Sequence, residues 1–330
     1  MMNLPLIWAG LIAFIILMYV VLDGFDLGIG ILYPFIKDHR ERDLMMHTMS
    51  PIWDGNETWM VLGAACLYGA FPLVYSTVLP TLYLPLFLML AALIFRGVSL
   101  EFRFKSHSDT RYLWDLAFSL GSIFAAFCQG LILGTFVQGH SFAGEVPYSW
   151  LTPFTVFTGI SVVIGYALLG AGWLIARTEK DLQNKMYKAA TILLSLLSIC
   201  LLVVSLWTPF ISEFVMHRWF DLSHLLYLSP FPIVTGLCIL AAFYSLYKRK
   251  EWLPFLLSIG VFICAYAGFV ISIWPYILPY HVTVWEAAAP HNTLVFLGVG
   301  IAILLPVLLA YNAYAYYVFR GKTQATDEHY

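Results

Sequence analysis

Apolar runs long enough to cross roughly 30 Å of hydrocarbon recur nine times along the 330 residues, and no water-soluble fold of this size has the interior to bury them all. The runs cover residues 4–36, 51–75, 78–100, 113–137, 153–176, 187–210, 226–247, 253–276 and 290–319. The chain therefore reads as one integral membrane domain over 1–330, all-α and polytopic with about nine transmembrane helices, most simply two four-helix bundles plus one extra helix. The first and last runs exceed the ~20 residues needed to cross, so tilt or a protruding end is expected there. Ser50 before Pro51 predicts an N-cap followed by a first-turn proline, whereas Pro230 and Pro232 would break the seventh helix if they lay inside it. Composition agrees: 61% of residues are hydrophobic and 11% charged, with a mean hydropathy of +0.82.

Lys and Arg test the span count independently. Sixteen of the seventeen, counting the helix-end Arg96, fall on alternate connections or the C-terminal tail; Arg218 is the exception. Strict alternation predicts a multi-pass membrane protein with the N-terminus outside and the C-terminus in the cytoplasm. The loops, about 15 residues at most, leave no room for a soluble catalytic domain. The N-terminus lacks the basic region and cleavage site of a signal peptide, so the first span is expected to stay in the mature protein. A net charge of -2, without a basic arm or a Gly-rich phosphate loop, points to the lipid bilayer and not to nucleic acid. Cys66, Cys128, Cys200, Cys238 and Cys264 are dispersed through apolar stretches and read as packing residues, not as disulfides or metal ligands.

Against this background the acids stand out. Asp23-Gly24-Phe25-Asp26 interrupts the first span, and Trp53-Asp54-Gly55-Asn56-Glu57-Thr58 opens the second. A carboxylate in hydrocarbon is costly unless paired, protonated or facing a wet cavity, so such residues point to proton or cation handling. In each cluster the acids are three residues apart and share a helix face. Asp54 falls near the cytoplasmic mouth, with Asp26 and Asp23 roughly 16 and 20 Å up the first helix from Lys37. Blander readings stand beside this one. Asp54 fits a first helical turn on dipole grounds alone. Glu57 can pair with Arg96, Arg103 or a loop lysine, and Asp23 beside Gly24 can be polar glue at a helix break. The segment Arg96 to Lys105, with Glu101, reads first as an ion-paired cytoplasmic helix end and second as a site.

Histidine placement carries a negative. A haem iron buried between helices needs an axial ligand well inside a span. His39, His47, His107, His140, His217, His281 and His329 fall in loops or the tail, and His224 and His291 at span ends. Met18, Met60 and Met89 do lie within spans, where a lone Met is more often packing than ligand. No metal ligands or cofactor-binding residues are assigned.

Asp23-Gly24-Phe25-Asp26-Leu27-Gly28, then Trp53-Asp54-Gly55-Asn56-Glu57-Thr58-Trp59, then Phe95-Arg96-Gly97-Val98 closing the third span, resembles subunit II of the cytochrome bd-type quinol oxidases. The resemblance is densest over the first 105 residues or so, and the chain's shortness resembles the compact branch that includes cyanide-insensitive members. It implies a haem-bearing partner, subunit I, that ligates two b-type haems and usually one d-type, oxidises quinol and reduces oxygen to water in the aerobic respiratory chain. This chain would then be a scaffold without catalytic haem, inactive alone, and part of the cytoplasmic proton-uptake path. Asp54 and Asp23 would transfer protons, supported by Asp26, Glu57, Trp53, Arg96 and Glu101. Some members hold a structural quinone or a small accessory subunit, for which no residues are assigned here. A proton-coupled transporter is the alternative, although paired repeats and broken midplane helices are not evident. A purely structural membrane subunit is the third reading.

Overall fold

The computed structural model describes residues 3–139, 148–221 and 228–323, with Phe142 and His224. His140 and His329, expected in a loop and in the tail, lie outside the described residues. Among the described residues the chain forms helices α1 (Leu4–Leu32), α2 (His39–His47), α3 (Trp53–Ala70), α4 (Pro72–Thr81), α5 (Tyr83–Phe102), α6 (Arg111–Gln138) and α7 (Pro153–Arg177). They continue with α8 (Lys180–Ile211), α9 (Glu213–Phe220), α10 (Pro230–Tyr247), α11 (Leu253–Ile273), α12 (Val284–Ala287) and α13 (His291–Val318). A small antiparallel hairpin, Tyr276–Leu278 with Val282–Thr283, follows α11 and has no counterpart in the sequence expectations.

Among the described residues eight helices are long and apolar enough to cross a membrane, and they coincide with eight of the nine expected spans. The remaining run, 51–75, is α3, which ends at Ala70 because the chain turns at Phe71 (φ -135°, ψ 65°) ahead of Pro72. A residue before proline is pushed out of helical geometry, so the apolar run continues as a separate helix, α4. The third span consequently starts at Tyr83 and not at 78. The N-cap expected at Ser50 is also displaced. Turns carry α2 directly into α3, so the Ser50 hydroxyl donates to the Met46 carbonyl at 3.0 Å and α3 begins at Trp53. Pro230 and Pro232 fall in the first turn of α10, where their missing N–H groups cost no helical bond. Thr152 caps α7 by accepting from the Thr155 N–H at 3.2 Å.

α5 packs on α6, α6 and α1 both pack on α7, α7 packs on α8 and α11, and α10 packs on α11, so α7 forms a central seam with α1 and α6; α3 lies against α1, and α13 lies outside, against α3 and α1. The seam is built from glycines. A Cβ on Gly28 would run into the Tyr166 carbonyl, and one on Gly130 into the Gly159 backbone, so these helices approach more closely than any larger residue allows. Phe25 stacks on Trp173 across the same seam, with ring centroids 4.4 Å apart.

Ion pairs tie the basic loops together at one end of the bundle. Lys185 reaches Glu41 (2.6 Å), Arg103 and Arg111 reach Asp43 (2.7 and 2.9 Å), Arg42 reaches Asp115 (3.2 Å) and Lys322 reaches Glu251 (3.1 Å). The connections after the first, third, fifth and seventh spans and the C-terminal residues thus share one face. Asp38 caps α2 through the Arg40 and Glu41 N–H groups, which hold its carboxyl below the usual range.

Candidate functional site

The acids of the first span converge on one cation. Asp23 and Asp26 lie on one face of α1, and Arg96 of α5 donates to Asp23 Oδ1 at 3.0 Å while standing 3.7 Å from Asp26 Oδ2. Its other terminal nitrogen, Nη1, donates to Glu57 Oε2 of α3 at 3.3 Å. Asp23, Asp26 and Arg96 are 0% exposed, whereas the Glu57 side chain keeps 23%. The cluster therefore has a single ionisable member open to the outside, one helical turn from Asp54. Trp53 covers the guanidinium, its ring centroid 5.5 Å from Arg96 Cζ, and Gly97 leaves room for that ring.

Neutral polar groups extend the cluster in two directions. Asn56 Nδ2 donates to Asp26 Oδ2 at 2.7 Å and to the Leu22 carbonyl at 3.3 Å, and its Oδ1 accepts from the Tyr316 hydroxyl of α13 at 2.9 Å. On the other side Tyr19 neighbours Asp23. Gln129 Nε2 of α6 donates to the Tyr19 hydroxyl at 2.7 Å, and Tyr166 of α7 donates to Gln129 Oε1 at 2.7 Å. Asp23 Oδ2, Asp26 Oδ1 and Arg96 Nε remain without a hydrogen-bond partner, leaving lone pairs on both aspartates that can take a proton. Exchangeable groups thus flank the acids on both sides, Asn56 and Tyr316 toward α13 and Tyr19, Gln129 and Tyr166 toward α7.

The residues singled out from sequence do not all meet here. Asp23, Asp26, Glu57, Arg96 and Trp53 do. Arg96, read first as part of a basic helix end, is fully buried among the acids, and of the partners offered for Glu57 it is the one that binds it. Asp54 is exposed on the outside of α3, and Glu101 forms only an exposed pair with Lys105 at 3.6 Å. Asn56, Tyr19, Gln129, Tyr166 and Tyr316 were not singled out. Gln129 had a signal, a polar amide in the middle of the fourth span; the tyrosines, among 20 in the chain, had none.

A second ionic cluster sits at the basic end. Arg103, its side chain 0% exposed, donates to Asp115 at 2.5 Å and to Asp43 at 2.7 Å, and Tyr33 donates to Asp115 at 2.6 Å. The described histidines are all exposed or half-buried at helix ends and in loops, and no group of three His, Cys, Asp or Glu side chains among the described residues is arranged to hold a metal ion. These residues do not fit the axial ligation of a buried haem.

Residues 4–319 match the family described as cytochrome bd terminal oxidase subunit II. Among curated relatives, cytochrome bd ubiquinol oxidase subunit 2 of Bacillus subtilis is 26% identical over 336 residues, covering 98% of this chain and 97% of that protein. Cytochrome bd-I ubiquinol oxidase subunit 2 of Escherichia coli K12 is 25% identical over 366 residues, covering 98% and 96%. In three dimensions the chain is similar to one in the structure of bd oxidase from Geobacillus thermodenitrificans, with a TM-score of 0.78 at 17% identity, covering 97% of this chain and all of that one.

Proposed function

This chain belongs to the cytochrome bd terminal oxidase subunit II family, and from that premise we propose that its buried acid cluster takes up protons for the oxygen reduction performed by the complex. It is a multi-pass membrane subunit of a bd-type terminal oxidase in the respiratory chain. The transporter alternative finds no support in these relationships. In the proposed assembly subunit I is the partner, quinol is the substrate, and the basic end with the C-terminus faces the cytoplasm while the N-terminus is periplasmic. Electron transfer and reduction of oxygen to water are the chemistry the haems supply, and the absence of suitable ligands among the described residues supports placing them on the partner. This subunit would then have no catalytic haem of its own. A quinone or a small accessory subunit bound here is compatible with the fold, and no residues are assigned to either.

The observation that carries the proton role is the mismatch of charges around Arg96. One guanidinium faces three carboxyl groups, and a buried carboxylate without a counter-charge is costly, so the cluster is a place where a proton is held. Glu57 is the partly exposed member and Asp54 stands one turn outside it, so a proton collected at Asp54 passes to Glu57 and then to the aspartates on either side of Arg96. Arg96 holds the carboxyls in register and excludes other cations by its own charge. Glu57→Gln keeps the shape and removes the ionisable group. It should assemble with full haem content and lose quinol oxidase turnover per haem by a factor on the order of 100. Full turnover at full haem content would leave this subunit as scaffold only.

A further inference from the structure

The basic end of the bundle encloses a cavity of about 240 Å³ between the last turn of α7, the start of α11 and the end of α13. Trp173, Arg177, Trp252, Phe255, Tyr316 and Arg320 form its walls, and among the described residues no carboxylate lines it. Glu251, next to the wall residue Trp252, is already paired with Lys322. Two donors within these walls are unmet. Trp173 Nε1 and Arg177 Nε have no hydrogen-bond partner although their residues are only 4% and 6% exposed. Buried donors of this kind are expensive unless something accepts from them. Arg177 is held in place by its bond to the Phe319 carbonyl and by Trp173, 5.2 Å from its Cζ, so its charge is fixed at the wall. Arg320 is exposed on the tail side, resting on Tyr317, and its long stem can swing over the mouth.

We propose that this cavity binds a phosphate-ester anion, and that the group it takes is the headgroup of an anionic phospholipid. Two arginines and an indole N–H supply donors suited to phosphate oxygens. The aromatic walls and the interfacial level of a basic, Trp-bearing end suit the glycerol and first methylenes of a lipid. None of this draws on the proton path: Tyr316 borders both regions, but Asn56 and the acids lie behind it.

The test uses the whole oxidase complex, purified and stripped with detergent, then exposed to nanodisc lipid or salt. Native mass spectrometry should retain one phosphatidylglycerol per complex in preference to phosphatidylcholine. Trp173→Phe, which removes the indole N–H together with part of the ring while keeping an aromatic face toward Phe25, and Arg320→Gln should each lower retention roughly tenfold at full haem content. Arg177→Gln should abolish it, and if that variant fails to assemble the other two decide. Thermal protection by inorganic phosphate that matches phosphatidylglycerol, and is lost in the same variants, would make a free phosphate the occupant while upholding the anion site. Retention unchanged in the variants, or no protection by either phosphate source, would overturn the proposal.

Discussion

The two ionic clusters of this protein are built from the same side chains in opposite proportions. At the basic end Asp43 and Asp115 are shared among Arg42, Arg103 and Arg111, so each carboxylate has at least two cationic partners. In the bundle interior Asp23, Asp26 and Glu57 share Arg96 alone. The first arrangement over-neutralises its acids and behaves as a staple between α2, α5 and α6. The second leaves carboxyl groups that its cation does not balance, which is poor design for stability and good design for holding a proton. Burial of the cation does not separate the two, since Arg96 and Arg103 side chains are equally inaccessible, although Asp43 and Asp115 keep 31% and 12% exposure where Asp23 and Asp26 keep none. Stoichiometry does.

The contrast breaks most sharply at the cations. Arg96→Gln leaves three carboxyl groups in the interior without a positive charge, at a cost of about 3–5 kcal/mol, a large share of a typical domain's stability. The expected outcome is loss of assembled complex, read as haem recovered per membrane protein; Arg96→Lys should restore part of it. Normal assembly of Arg96→Gln would mean that the acids are already neutral and that Arg96 is dispensable.

Arg103→Gln should be milder despite equal burial, because Asp115 keeps Arg42 and Tyr33 while Asp43 keeps Arg111. A loss of about 1–3 kcal/mol is expected, measured as a lowered unfolding temperature of the complex, with turnover per haem unchanged in what assembles. If Arg103→Gln lost turnover at full haem content, the basic-end cluster would belong to the proton route and the distinction between staple and store would fail.

How much of this was legible in the chain follows from the range of the signals. Apolar runs and the alternation of Lys and Arg report on the surrounding solvent, a one-dimensional property, and they find the long helices while missing the break at Phe71 that splits the second run and moves the third span's start to Tyr83. They misplace the start of α3 because Ser50 and Pro51 look like a cap only if the chain has left α2, and the turns through residues 48–52 keep it there. The acids at 23, 26 and 57 announce themselves by their cost. Arg96 is visible as a charge at a basic helix end and as one partner open to Glu57, but its bond to Asp23, 73 residues away in sequence, depends on tertiary packing. Tyr316 reaches Asn56 across 260 residues, and no local pattern carries that. The motif Asp23–Gly28 conversely says more than its acids: Phe25 and Gly28 are there for the seam with α7.

Asp54 separates exposure from function. Its carboxylate is outside the cluster, so water or a partner surface can replace what it does. Asp54→Asn should assemble with haems and lose turnover by a few-fold, less than Glu57→Gln, and Asp54→Glu should retain more than Asn. A loss in Asp54→Asn as large as that in Glu57→Gln would make it an obligatory carrier and not a surface collector.

Glu101 sets the floor of the comparison. It shares the third span's basic end with Arg103 but stands 60% exposed, 3.6 Å from Lys105 one turn on, which is itself 74% exposed. Water screens both charges, and ordering two long side chains offsets most of what the attraction gives, so such pairs contribute within about 0.5 kcal/mol. Glu101→Ala should leave unfolding temperature, haem content and turnover at wild-type values, even at low salt, where exposed ion pairs are strongest. Should Glu101→Ala instead slow turnover at full assembly, acids on the basic end would be gathering protons irrespective of burial. The under-neutralised interior would then lose its claim to be the special site.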